Sequence, residues 1–137
     1  EEGKLNQEKG DKFLAENGKK TGVVTTPSGL QYQVMTAGKG AKPTAADGVK
    51  VNYKGTLLDG KEFDSSYKRG EPAVLPLGGV IPGWSEGLQL MQVGSKYKFW
   101  IPAKLAYGEQ APPMIGPNQV LEFEVELLDI VKPNAAK

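Results

Sequence analysis

Four short stretches carry the residues with chemical potential: Tyr53, Phe63-Asp64, Val80-Ile81-Pro82-Gly83-Trp84 and Ala106-Tyr107-Gly108. They offer aromatic walls around a single carboxylate, with no metal-ligand set and no nucleophile paired to a base. Such a collection suits a small apolar pocket that reads a peptide backbone or a ring. It does not suit reactions built on proton shuttles or covalent intermediates.

The composition narrows the choice further. The 137 residues, 14.7 kDa, suffice for one core of ordinary domain size and not for two. The 17 basic and 16 acidic side chains nearly cancel, and no segment interleaves Lys and Arg with aromatics, so nucleic acid is not an expected partner. With no Cys and no His, disulfides, thiolate nucleophiles and the usual acid-base residue and metal ligand are excluded. No metal and no cofactor are expected. No apolar run approaches the roughly 20 residues of a spanning helix, and a secretory signal is not expected within a chain that starts at Glu1.

These residues need a scaffold, and periodicity supplies it. Residues 1–20 carry five acids and five bases, with Gly18 as a stop signal. They read as a helical arm, helical from about Lys4 to Asn17. Its large apolar residues, Leu5, Phe13 and Leu14, are too sparse for a continuous stripe, so most of its circumference is expected to be wet and its contribution to stability small. After Pro27-Ser28-Gly29 the period becomes two: Leu30, Tyr32 and Val34 alternate with polar residues, as do Val49, Val51 and Tyr53. Tyr97, Phe99 and Ile101 share a face, leaving Trp100 on an expected solvent face. Leu121, Phe123, Val125 and Leu127 oppose Glu122, Glu124 and Glu126, a solvated sheet face. Asp59-Gly60 marks a hairpin turn. Pro82 opens a short helix in which Trp84, Leu88 and Met91 fall on one stripe before Gly94. The expected fold is α+β, a twisted antiparallel β-sheet wrapped around one short α-helix, with an N-terminal helical arm. The expected divisions are arm 1–20, domain 21–131 and a disordered tail 132–137.

In such a fold the start of the helix becomes the floor of a concavity, with first-turn N–H groups and the Ile81 N–H open to a ligand carbonyl. Tyr53, Phe63 and Phe123 supply the sides, and the Pro/Gly-rich loop 108–118 overhangs it. Singly, each residue also has a plain structural account. Trp84 alone is more often core, and Tyr53 half-buried packing. Asp64 either faces a ligand with Arg69 behind it or caps the turn at Ser65-Ser66. Gly38-Lys39-Gly40 is a turn rather than a phosphate loop.

The motifs Val51-Asn52-Tyr53-Lys54-Gly55, Gly60-Lys61-Glu62-Phe63-Asp64-Ser65-Ser66, Val80-Ile81-Pro82-Gly83-Trp84, Leu105-Ala106-Tyr107-Gly108 and Leu121 to Leu128 occur in order. With this order and spacing the sequence resembles the FKBP-type peptidyl-prolyl isomerases from about Gly22 to Val131. Phe13-Leu14-Ala15-Glu16-Asn17 and Thr26 to Tyr32 further resemble the bacterial Mip-like branch. The resemblance implies a pocket of Tyr53, Phe63, Asp64, Leu75, Val80, Ile81, Trp84, Tyr107, Ile115 and Phe123. Trp84 would lie under a prolyl ring, the Ile81 N–H and Tyr107 hydroxyl would donate to carbonyls, and Arg69 would back Asp64. Ala73 and Leu75 stand where single-domain members carry aromatics, and Met114 replaces a branched aliphatic.

The implied activity is cis-trans isomerisation of X-Pro bonds in unfolded or partly folded proteins, cofactor-free and inhibited by macrolides. The alternative is a prolyl-peptide-binding chaperone module with little turnover, using loop residues such as Met114 and Ile115 as exposed apolar contacts. The resemblance also implies a periplasmic or cell-surface location and a longer parent that dimerises through an N-terminal domain outside this chain.

Overall fold

Alternation of buried and more exposed side chains along the strands Gly48–Leu57 and Leu121–Val131 builds the centre of the sheet. The structure, a computed structural model, describes residues 2–108 and 115–131. In chain order it contains α1 (Glu2–Asn17), β1 (Val23–Thr25), β2 (Gln31–Thr36), β3 (Gly48–Leu57), β4 (Glu62–Ser65), α2 (Ser66–Arg69), β5 (Ala73–Pro76), α3 (Pro82–Leu88), β6 (Lys96–Ile101) and β7 (Leu121–Val131). The strands form one antiparallel sheet in the order β1-β2-β6-β7-β3-β4, with β5 also paired to β3. β3 and β7 run side by side from Gly48↔Val131 to Leu57↔Leu121. Val49, Val51, Tyr53, Leu57, Leu121, Phe123, Val125 and Leu127 bury their side chains on the same inner face. The fold is therefore α+β, a sheet wrapped on one short helix, with a helix at the N-terminus.

α3 lies against that inner face unusually closely because two of its positions have no side chain. A Cβ on Gly83 would stand 2.5 Å from Ile101 Cγ2, and one on Gly87 2.7 Å from Phe99 Cε1. Any larger residue would lift the helix, and Trp84 with it, off the sheet. Pro82 occupies the first turn, where its missing N–H costs no bond. The helix closes at Leu88, so Met91 reaches the core from the following turn, fully buried. The Asp59-Gly60 hairpin joins β3 to β4; Gly60 takes φ 92° and Asp59 Oδ1 accepts the Lys61 N–H at 2.9 Å. No described helix is long and apolar enough to cross a membrane.

Two expectations need correction. Trp100 is 5% exposed rather than a surface residue. Its parity was right, since it points away from Phe99 and Ile101, but the outer face is covered there. Trp100 sits opposite Gln31 in the β2–β6 register. Gln31 is itself buried and bonded to the end of α1, donating to Leu14 O at 2.8 Å and accepting from Asn17 Nδ2 at 2.8 Å. On its other flank Trp100 donates to Glu122 Oε1 at 3.0 Å, and Lys98 Nζ stands 5.8 Å from its ring centroid. Ile115 is the second correction: at 5% exposure it belongs to the core and turns only an edge to the cavity, so it is not an exposed apolar contact on the outer surface. Met114 and the tail 132–137 lie outside the described residues.

Candidate functional site

β3 and β7 bring Tyr53 and Phe123 inward as diagonal neighbours, and α3 places Trp84 beneath them. The rings meet edge to face: Tyr53 to Trp84 at 5.1 Å and 90°, Trp84 to Phe123 at 5.2 Å and 88°, Phe63 to Phe123 at 5.5 Å and 85°. Perpendicular packing sets the positive edge of one ring against the negative face of the next, which holds all four in fixed orientations. Two of them come so close to β3 only because Gly55 is there. A Cβ at that position would stand 2.6 Å from Phe123 Cε1 and 2.8 Å from Phe63 Cζ.

The rings line a cavity of about 470 Å³, a common size for a small-ligand site. Tyr53, Phe63, Asp64, Leu75, Val80, Ile81, Trp84, Tyr107, Ile115 and Phe123 all line it, together with Gly79. Trp84, 6% exposed, forms the floor, while Tyr107, 41% exposed, stands at the rim. Among the described residues no acceptor takes the Ile81 N–H, which lies just before the first turn of α3.

Asp64 is held in a closed triangle. Its Oδ2 accepts from the Tyr53 hydroxyl at 2.6 Å and its Oδ1 from Arg69 Nη1 at 2.7 Å. Arg69 Nη2 donates to the Tyr53 oxygen at 2.8 Å. Arg69 itself stays outside the cavity wall, its guanidinium 5.5 Å from the Tyr53 ring centroid. Burial pulls the Asp64 pKa upward, but the Tyr53 and Arg69 hydrogen bonds, the Arg69 charge and the Ser65 N–H outweigh it, so the carboxyl titrates below its ordinary value. Burial, reinforced by the bond to Asp64, raises the Tyr53 pKa against the opposing pull of Arg69. Bonds to Tyr53 and then Asp64 raise that of Arg69. The site thus presents an ionised Asp64 carboxylate bonded to a neutral Tyr53 phenol across the neutral range.

Asp64 does not cap the next turn. Ser65 does, accepting the Lys68 N–H at 3.4 Å. Ser66 takes a further supporting role: its Oγ accepts the Tyr53 N–H at 2.8 Å. In the sequence, Gly55 and Ser66 stood out only within motifs, without these roles, and Gly79 went unnamed. Gly55 had left a signal, since a glycine on the buried phase of an otherwise apolar strand marks a close approach. Ser66 and Gly79 left none.

The geometry has counterparts among known proteins. The family description "FKBP-type peptidyl-prolyl cis-trans isomerase" matches residues 39–128, and "Domain amino terminal to FKBP-type peptidyl-prolyl isomerase" matches residues 1–34. The chain is 63% identical over 130 residues to "FKBP-type peptidyl-prolyl cis-trans isomerase FkpA" of Aeromonas hydrophila, covering 95% of this chain and 48% of that protein. It is 50% identical over 128 residues to "Outer membrane protein MIP" of Legionella longbeachae, covering 93% and 55%. The crystal structure of FkpA from Escherichia coli superposes with a TM-score of 0.92 at 52% identity, over 95% of this chain and 61% of that one. The chain thus spans about half the length of the curated relatives it matches.

Proposed function

Because this chain belongs to the FKBP-type peptidyl-prolyl cis-trans isomerases, in their Mip-like branch, we propose that it accelerates rotation about X-Pro bonds in unfolded or partly folded proteins. The observation that carries this reading is the cavity of perpendicular aromatic rings over the start of α3, with one braced carboxylate in its wall. Among the described residues of that wall there is no Ser, Thr, Cys, Lys or His.

The uncatalysed barrier is on the order of 20 kcal/mol because twisting the amide forfeits its resonance. The planar amide is more polar than the twisted one, so transfer from water into an aromatic cavity disfavours the ground state more than the transition state. The Ile81 N–H and Tyr107 hydroxyl are placed to hold flanking carbonyls while the bond turns above Trp84. Asp64, ionised and fixed by Tyr53 and Arg69, faces the substrate as a directed acceptor. Positioning and desolvation then account for catalysis without proton transfer or a cofactor.

The division into an arm, 1–20, and an isomerase domain, 21–131, belongs to the same proposal. So do macrolide inhibition through Leu75, Val80 and Ile115, a homodimeric longer parent, and a periplasmic or surface location, which a relative named as an outer membrane protein supports. Two-dimensional exchange NMR on a short peptide with one Leu-Pro bond tests the activity. Cross-peaks should strengthen at substoichiometric protein; an unchanged exchange rate at stoichiometric protein would sink the reading, and tight binding without faster exchange would favour a chaperone module.

A further inference from the structure

The face that α1 turns to the rest of the molecule carries few apolar residues. Gly3, Asn6, Gly10, Phe13, Leu14 and Asn17 are its buried or half-buried positions. Their spacing is that of one helical face, but small and amide side chains form its N-terminal half. That half does not rest on the sheet. It rests on the stretch immediately before β7, residues 117–120. Asn6 Nδ2 donates to Pro117 O at 2.9 Å, and Asn118 Nδ2 donates to Gly3 O at 3.2 Å. Gly10 admits Val120, whose Cγ2 lies 2.7 Å from where a Cβ would stand.

The same stretch ends the pocket wall. Ile115 lines the cavity and is buried in the core, three residues before Asn118. Asn118 also donates its backbone N–H to Gly108 O at 2.7 Å, beside Tyr107 on the opposite rim. It is the one described non-glycine residue with positive φ, 56°, a conformation asparagine tolerates better than most. Asn118 is therefore a node. Its backbone ties the chain after Ile115 to the chain after Tyr107, and its side chain ties both to α1. β7 is paired on both sides, with β3 and with β6, so a displacement of the N-terminal half of α1 is taken up by residues 115–118 rather than by β7.

We propose that α1 braces the pocket rim, with Asn6 and Asn118 as positioning residues for Ile115 and Tyr107. Movement of α1 is thereby read as a change in affinity for a prolyl segment. By linkage, a ligand packed on Ile115 and Tyr107 tightens the docking of α1 by the same factor. The kinetic part of this proposal rests on the isomerase reading; the coupling of α1 to Ile115 does not.

Three variants of the chain test it: Asn6→Asp, which removes the donor to Pro117 O; Gly10→Val, which collides with Val120; and Asn118→Gly, which keeps the left-handed backbone and loses only the bond to Gly3. Three quantities are read: amide exchange along α1, the methyl resonance of Ile115 in ligand-free protein with Ile130 as reference, and KM and kcat on a short Leu-Pro peptide. Faster α1 exchange, a moved Ile115 methyl with Ile130 unmoved, and KM raised at least about threefold with kcat within about twofold is the expected pattern. Faster α1 exchange with Ile115 and KM unchanged overturns it, as does α1 exchange unaltered in all three variants. If the parent chain shows no isomerase activity, the functional reading falls, and the Ile115 methyl still decides the brace.

Discussion

Replacing Gly55 with alanine puts the packing of the pocket to a direct test. The added Cβ would lie 2.6 Å from Phe123 Cε1 and 2.8 Å from Phe63 Cζ, against a comfortable carbon-carbon separation of about 3.5–4.0 Å. Each ring must retreat by roughly 1 Å. Phe123 cannot, being 5% exposed and wedged against Trp84 and Tyr53. Phe63 is only half-buried and can swing into the cavity. Overpacking of this kind costs about 1–3 kcal/mol. Gly55 is not in the left-handed region, so alanine recovers about 0.5–1 kcal/mol of backbone entropy. The balance is a net loss of up to about 2.5 kcal/mol, centred near about 1 kcal/mol, or a fall in Tm of up to roughly 9 °C for a chain of this size. Phe63, displaced into the space meant for a prolyl ring, should lower kcat/KM at least about fivefold. Calorimetry and peptide isomerisation on one purified variant read both quantities. Parent-like Tm together with parent-like kcat/KM would refute the claim that Gly55 sets the depth of the pocket.

Asp64→Leu should lower kcat/KM more than about tenfold, or about 1.4 kcal/mol in transition-state stabilisation, while Tm falls little because Ser65 holds the cap; turnover within about twofold of the parent would remove Asp64 from the catalytic list. The pH profile follows from the same triangle. The depressed Asp64 pKa means that its contribution is present above the unfolded value and lost only as pH falls through the still lower folded value, whereas that of Tyr53 is lost only as pH rises through its raised pKa. Activity should be flat from about pH 5 to about pH 9, and an inflection near neutrality would show a titrating group outside the proposed mechanism. Trp100→Ala should cost about 3 kcal/mol by denaturant midpoint, in the range of a buried aromatic; a loss under about 0.5 kcal/mol would mean that α1 leaves the outer face open.

Local chemistry made much of this protein legible in the sequence. Side-chain alternation in β3 and β7, the Asp59-Gly60 hairpin and Pro82 at the start of α3 each act within a few residues, so the chain order alone expresses them. Tyr53, Phe123 and Trp84 were legible for a related reason: they fall on the inward phase of strands or on the buried stripe of a short helix, whereas Leu75, Val80 and Ile115 entered the pocket only through the resemblance to a family. Distances between elements were not legible. The collapse of α3 onto β6 depends on Gly83 and Gly87 meeting Ile101 and Phe99, and the seating of Phe123 and Phe63 depends on Gly55; a glycine shows a close approach only once its opposite surface is known. Trp100 lies on the outer phase of its strand, and only the tertiary structure decided that this patch is covered, because Gln31, its neighbour across the strand, is buried and bonded to the end of α1. The docking of α1 escaped hydrophobic analysis because Asn6, Gly10 and Asn118 hold it by hydrogen bonds and close backbone approach. Those interactions have no period, since both partners must already be in place before either residue has anything to bind.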